Sequence, residues 1–169
     1  MKRLSTYCTA FLLLVSIAPG CNPNRNSTSD LLGNWTTAYD FLGDVRSEAA
    51  SFVIGDSAYV LTGAASGNLR YNDMYVFSLA TNNWRKRASL PADARNGAIA
   101  FGINGKGYLC SGYNGANALN DCWEYDPTTD SWTRKDDLPA DARWDAVGFA
   151  IGNKGYLCGG FSNKYFNDC

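Results

Sequence analysis

Arg46, Arg95 and Arg143 stand 49 and 48 residues apart, and two of them carry a carboxylate two positions on: Glu48 and Asp145. An acid beside a guanidinium is a pair that could serve general acid/base chemistry. The set is unmatched, because Gly97 takes the corresponding place after Arg95. Histidine is absent, which removes imidazole acid/base catalysis, Ser-His-Asp and Cys-His nucleophiles, and histidine-held zinc, copper or haem. No Cys-x-x-Cys spacing occurs, which argues against a zinc or thiol redox site. The expectation is a chain with no catalytic residue, metal or cofactor. A net charge of −1 gives no electrostatic case for nucleic acid.

The elements that position these residues repeat. Trp35, Trp84 and Trp132 lead the three arginines by eleven residues each, and Tyr59, Tyr108 and Tyr156 follow them by thirteen. Phe52, Phe101 and Phe149 keep step, and an Asn-Asp pair closes each unit at Asp73, Asp121 and Asp168. Only the interval from tyrosine to Asn-Asp varies, so the variation falls in one loop per unit, as in repeat proteins that present loops on one face. Within a unit, residues 95–103, 106–112, 121–126 and 131–135 read as four short strands, with tight turns at "NGKG" and "DPTTD". Four antiparallel strands in about 48 residues suit a propeller blade.

Four cysteines fall in equivalent pairs, Cys110 with Cys122 and Cys158 with Cys169, and in the first unit both positions change together, to Leu61 and Met74. Pairing the second and third strands as a hairpin sets Ser111 opposite Asp121 and Cys110 opposite Cys122, within disulfide reach. Two cross-strand disulfides are expected; the alternative is reduced cysteines packed as small apolar groups.

These residues resemble the kelch motif. They include a small-Gly pair ending the second strand (Thr62-Gly63, Ser111-Gly112, Gly159-Gly160), an aromatic in the third (Phe77, Tyr125), and Trp84 or Trp132 seven residues later. The resemblance covers residues 31–169 and implies an all-β kelch-type propeller, incomplete at about three four-stranded blades, with the arginine-bearing strand innermost. Glycine, tyrosine and tryptophan are then scaffold. The arginines either lock adjacent blades through backbone carbonyls or form a positive ring, and the many donors of a buried guanidinium favour the lock. Three blades fall short of the four to eight of closed propellers. The chain is thus expected to be the N-terminal portion of a longer protein, with a homodimeric ring as the alternative.

Residues 1–20 read as a signal peptide: Lys2 and Arg3, an apolar run over 10–18, then Pro19-Gly20-Cys21. That last stretch resembles the bacterial lipobox, which implies lipidation of Cys21, a membrane anchor and an exported cell-envelope protein, with residues 21–30 as a polar tether. Ordinary cleavage leaving a free Cys21 is the alternative. The variable loops supply the candidate binding residues Asn68, Tyr71, Tyr113, Asn114, Asn117, Phe161 and Tyr165, whose aromatic faces and amides suit a protein or glycan partner. The favoured function is a non-catalytic binding module. The alternative is an exported sugar enzyme similar to the kelch-like sialic-acid mutarotases, using Glu48 or Asp145. A galactose-oxidase type of copper site is ruled out by the missing histidines.

Overall fold

The computed structural model describes residues 38–169; the Trp35 strand, the leader, the tether and Cys21 lie outside them. β1 (Ala50–Ile54), β2 (Ser57–Leu61), a small hairpin of β3 (Ala64–Ala65) and β4 (Leu69–Arg70), β5 (Met74–Ser78) and β6 (Asn83–Arg87) make the first unit. Its sheet runs β1-β2-β5-β6, antiparallel throughout. The second unit repeats it as β7 (Ile99–Ile103), β8 (Lys106–Tyr113), β9 (Ala118–Asp126) and β10 (Ser131–Lys135). β11 (Val147–Ile151) and β12 (Lys154–Cys158) open the third.

Local sequence explains the strands. Alternation places Ala50 and Phe52 on one buried face of β1 while Ser51 and Val53 face out, the period-two signature of a strand covered on one side. Asn104 and Gly105 both take positive φ (51° and 75°), the two-residue turn whose twist matches a hairpin. Phe52 then faces Tyr59, Phe101 faces Tyr108 and Phe149 faces Tyr156 in register.

The core lies between blades rather than inside one. Ala50, Phe52, Tyr59, Leu61, Met74 and Val76 of the first blade are buried with Leu109 and Tyr125 of the second. β1 packs on β7 and β7 on β11, so the first strands converge. A Cβ on Gly107 would overlap the Phe52 ring, and one on Gly155 the Phe101 ring. Each glycine is flat ground for the preceding blade's phenylalanine, and full burial of such a ring is worth about 1.5–3 kcal/mol.

Two strand expectations need correction. The inner strands start four residues after each arginine, at Ala50, Ile99 and Val147, not at the arginine. The cause is a left-handed residue two places after it: Glu48 (φ 53°), Gly97 (φ 59°) and Asp145 (φ 53°). Ser111 does not face Asp121 either. It bulges out of the β8–β9 ladder between Cys110 and Gly112 with φ 65°, and beyond the bulge Gly112 faces Leu119. Cys110 does face Cys122, as Leu61 faces Met74. The structure joins Cys110 to Cys122 and Cys158 to Cys169, with Cα separations of 4.2 and 4.0 Å.

Candidate functional site

The repeated arginines form joints. Arg95 Nη1 donates to Ser111 O at 3.1 Å and to Asp121 Oδ1 at 2.5 Å, Nη2 to Asp121 Oδ2 at 2.9 Å, and Nε to Asp93 O at 3.0 Å. Arg46 repeats this with Thr62, Asp73 and Asp44, and Arg143 with Gly159, Asp168 and Asp141. The partners all belong to the arginine's own blade. The link between blades runs through the arginine backbone: Arg95 N donates to Tyr71 O at 3.1 Å, and Arg95 O accepts from Gly63 N at 2.8 Å. Arg143 makes the same pair with Leu119 and Gly112. The guanidiniums are buried and neutralised, so they make no positive ring.

Burial alone would raise the Asp121 carboxyl, but hydrogen bonds from Arg95 and Trp123 and the Arg95 charge more than reverse it, holding Asp121 below the usual carboxylate range. For Asp168 the Arg143 hydrogen bond leads, with the same outcome.

Above these joints the variable loops and the pre-strand segments meet on one face. A cleft of about 390 Å³ opens between the first two blades, lined by Asn68, Leu69, Arg70, Asp93, Ala94 and Asn114. Arg70 Nη1 donates to Asn68 Oδ1 at 2.8 Å and Arg70 Nε to Asn96 Oδ1 at 2.5 Å, while its guanidinium lies 5.0 Å from the Tyr113 ring centre. Asn96 is buried and passes the connection on, its amide donating to Glu48 Oε2. Asn114 Nδ2 donates to Asp93 Oδ2 at 2.8 Å.

Aromatic rings continue the face: Tyr113 to Trp144 at 4.8 Å, Trp144 to Phe161 at 4.9 Å and Phe161 to Tyr165 at 4.9 Å. A second cleft of about 340 Å³ lies beside Trp144, Asp145, Phe161 and Tyr165. Asp145 folds over Gly97, and Glu48 O accepts from Gly97 N as Gly97 O accepts from Asp145 N. Desolvation and then the charge of Glu48 push the Asp145 carboxyl up. An aromatic row beside amides, an arginine and exposed carboxylates can stack on a sugar ring and exchange hydrogen bonds with its hydroxyls.

The structure gathers Asn68, Tyr113, Asn114, Phe161 and Tyr165 on this face. Asn117 closes a turn on Asn114, its N donating to Asn114 Oδ1 at 2.8 Å. Tyr71 belongs elsewhere: its ring covers the Arg46 guanidinium at 4.1 Å, as Phe166 covers Arg143 at 3.9 Å. Both immediately precede the Asn-Asp pair, a repeat position that marks them as scaffold. Gly63 and Gly112 give the inter-blade N–H groups. Gly159 and Gly160 hold positive φ in the third copy, and Gly160 sits against the Trp144 carbonyl and Ala146. Trp84 and Trp132 donate to Tyr39 O and Ala88 O, and Tyr125 donates to Asp130 at 2.7 Å. Sequence reasoning passed over Arg70, Asp93, Asn96 and Trp144 as site residues. Asn96 and Trp144 directly follow the repeated arginines, and their change of type between copies, against Ser47, was the available signal.

Four-stranded antiparallel sheets whose first strands converge, stacked face to face through aromatic-on-glycine contacts, define the β-propeller class. Within it, the chain belongs to the kelch-repeat family: residues 33–169 match the family described as the KLHDC2/KLHL20/DRC7 Kelch-repeats domain. It is also similar to two proteins called N-acetylneuraminate epimerase. The one from Shigella sonnei (strain Ss046) is 32% identical over 84 residues, 47% of this chain and 23% of that protein. The one from Escherichia coli O9:H4 (strain HS) is 31% identical over 84 residues, with the same shares. The match thus spans under a quarter of these relatives' length.

Proposed function

We propose that this kelch chain is a binding module whose loop face takes a glycan, without catalytic chemistry of its own. The observation that carries the reading is the cleft between the first two blades, where Asn68, Arg70, Asp93 and Asn114 converge beside Tyr113 and Trp144. Its charges are mixed rather than of one sign, which suits a hydroxyl-rich ligand. A glycan array that includes N-acetylneuraminate, probed with the purified protein, tests it. Binding that drops at least tenfold in both Arg70→Ala and Trp144→Ala is expected. Binding unchanged in both variants defeats the proposal.

A second reading is a sugar-epimerising enzyme, favoured by Glu48 and Asp145 flanking Gly97 and by the names of the two relatives. Accelerated anomer exchange of N-acetylneuraminate, lost in Glu48→Gln, would establish it over the first.

We further propose that the module is exported to the bacterial cell envelope and held to a membrane by a lipid on Cys21. Cys21→Ser then moves the protein from the membrane fraction to the soluble one; unchanged fractionation removes the anchor.

A further inference from the structure

Most arginines of this chain meet a carboxylate. Asp73, Asp121 and Asp168 clasp Arg46, Arg95 and Arg143, while Arg87 and Arg134 face Asp130 and Asp137. Arg85 is exposed to water. Arg70 differs from all of them: it is half-buried, and among the described residues no carboxylate lies within ion-pair distance of it. Its hydrogen bonds go to neutral oxygens, Nε to Asn96 Oδ1 at 2.5 Å and Nη1 to Asn68 Oδ1 at 2.8 Å and Asn68 O at 3.2 Å. Nη2 makes none among the described residues. The seat is nonetheless rigid. Asn96 is 7% exposed, and its amide nitrogen donates to Glu48, which turns its oxygen toward Arg70. The guanidinium lies over Tyr113 and against Gly115, where an added Cβ would stand 2.7 Å from Nη1 and φ is 99°. The Tyr113 hydroxyl donates to Gly115 O at 2.9 Å and ties the ring to that turn. A positive charge is thus fixed in place without being neutralised, which is costly until an anion completes it.

Resting on the glycan reading above, we infer that the glycan carries a single carboxylate, held by Arg70, and that Asp93 takes hydroxyls beside it. Asp93 lines the same cleft and is exposed. Its Oδ2 accepts from Asn114, and its Oδ1 accepts from no group among the described residues. The two opposite charges therefore share one cleft without pairing with each other, each with an atom to spare. The Nη2 of Arg70 brings two N–H donors, enough for one carboxylate, and Asp93 Oδ1 is an acceptor for sugar hydroxyls. A sugar acid satisfies both sides. A neutral sugar leaves Arg70 uncompensated, and a glycan with many anionic groups brings like charge against Asp93, so the pair selects by attraction and repulsion together.

Isothermal titration of the full chain tests this with oligosaccharides ending in glucuronate, galacturonate or N-acetylneuraminate, each as free acid and as methyl ester. Esterification removes the charge and keeps the sugar. At least one free acid is expected to bind at least tenfold more tightly than its ester, and added sodium chloride should narrow that gap. Arg70→Gln is expected to bind acid and ester alike. Wild type should also bind that acid more tightly than a sulfated heparin oligosaccharide, a preference that Asp93→Asn reduces. The salt series reads the charge in wild-type protein if Arg70→Gln does not fold. Equal binding of acid and ester by wild type for every probe overturns the inference and leaves the glycan reading standing. So does heparin bound more tightly than the acid, or a neutral glycan held as tightly through Arg70. No glycan binding of any kind removes both.

Discussion

Blades two and three share the phrase Gly-Tyr-Leu-Cys, the same hairpin register and the same arginine clasp, yet among the described residues one is covered and the other is not. In blade two the carboxylate of the clasp is 16% exposed, and in blade three it is 53% exposed. Cys110 and Cys122 are buried, whereas Cys169 is at the surface. The difference teaches that a blade's internal geometry is local, written in pairs such as Phe149 and Tyr156, while its stability is supplied by whatever lies against it. This suits repeat architecture, where stability is a sum of unit and neighbour terms.

The largest effect should come from cutting the enclosed clasp. Arg95→Ala leaves the Ser111 carbonyl without its partner and the Asp121 carboxylate with the Trp123 indole N–H in place of a cation, and should cost about 3–5 kcal/mol in urea unfolding. Arg143→Ala should cost clearly less, because water can solvate Asp168. The clasp also has a pH signature. A carboxylate whose native pKa is depressed contributes stability above its ordinary value of about 4 and loses it as pH falls through the depressed native value. Wild type should therefore lose stability on acidification below about pH 4, and Arg95→Ala should show a flatter acid limb. Equal losses for Arg95→Ala and Arg143→Ala would erase the contrast between the blades.

Reduction sharpens it next. Each disulfide spans a short sequence separation, 12 and 11 residues, and is worth about 3 kcal/mol at most. Timed alkylation under mild reductant should label Cys158 and Cys169 first and Cys110 and Cys122 only as the protein unfolds. Simultaneous labelling of all four would contradict the burial difference.

A smaller effect, of opposite sign, is expected where blade three has the better residue. The Ser111 hydroxyl is buried without a partner and its backbone is left-handed, while Gly159 holds the same place at φ 66°. Ser111→Gly should stabilise by about 1 kcal/mol, offset in part by glycine's greater unfolded freedom, and raise Tm by about 3 °C. A lower Tm would mean the serine has a role the geometry does not display.

The smallest effect is at Asp145. Its native pKa is raised, so the stability it contributes is full below the ordinary carboxylate value and is lost as pH rises through the raised native value, and its ionised form is disfavoured at neutral pH. Asp145→Asn keeps a residue suited to left-handed φ. It should raise Tm slightly at about pH 7 and leave it unchanged at about pH 3; the reverse pattern would count against the Glu48 repulsion.

Much of the fold was legible because scaffold residues recur: the tryptophans, the Phe–Tyr pairs and the paired change from two cysteines to Leu61 and Met74 all place strands by spacing alone. The start of the inner strand was not legible, since nothing in Glu48 or Asp145 as residue types announces a left-handed backbone; only Gly97 hinted at it. The site was less readable for a related reason. Tyr71 and Tyr113 are both loop tyrosines, but one covers a guanidinium of the repeat and the other faces the cleft. Arg70 acquires its place only when the hairpin of β3 and β4 swings it over the neighbouring blade's Tyr113.

The arginine joint bears on how such a chain grows. One residue holds its own blade by its side chain and the blade before it by its main chain, so a duplicated stretch of about 48 residues carries both a fastener and the place where the next one fastens. Copying therefore lengthens the array without inventing a contact, and each new loop is free to change in length and sequence while the hardware beneath it stays the same.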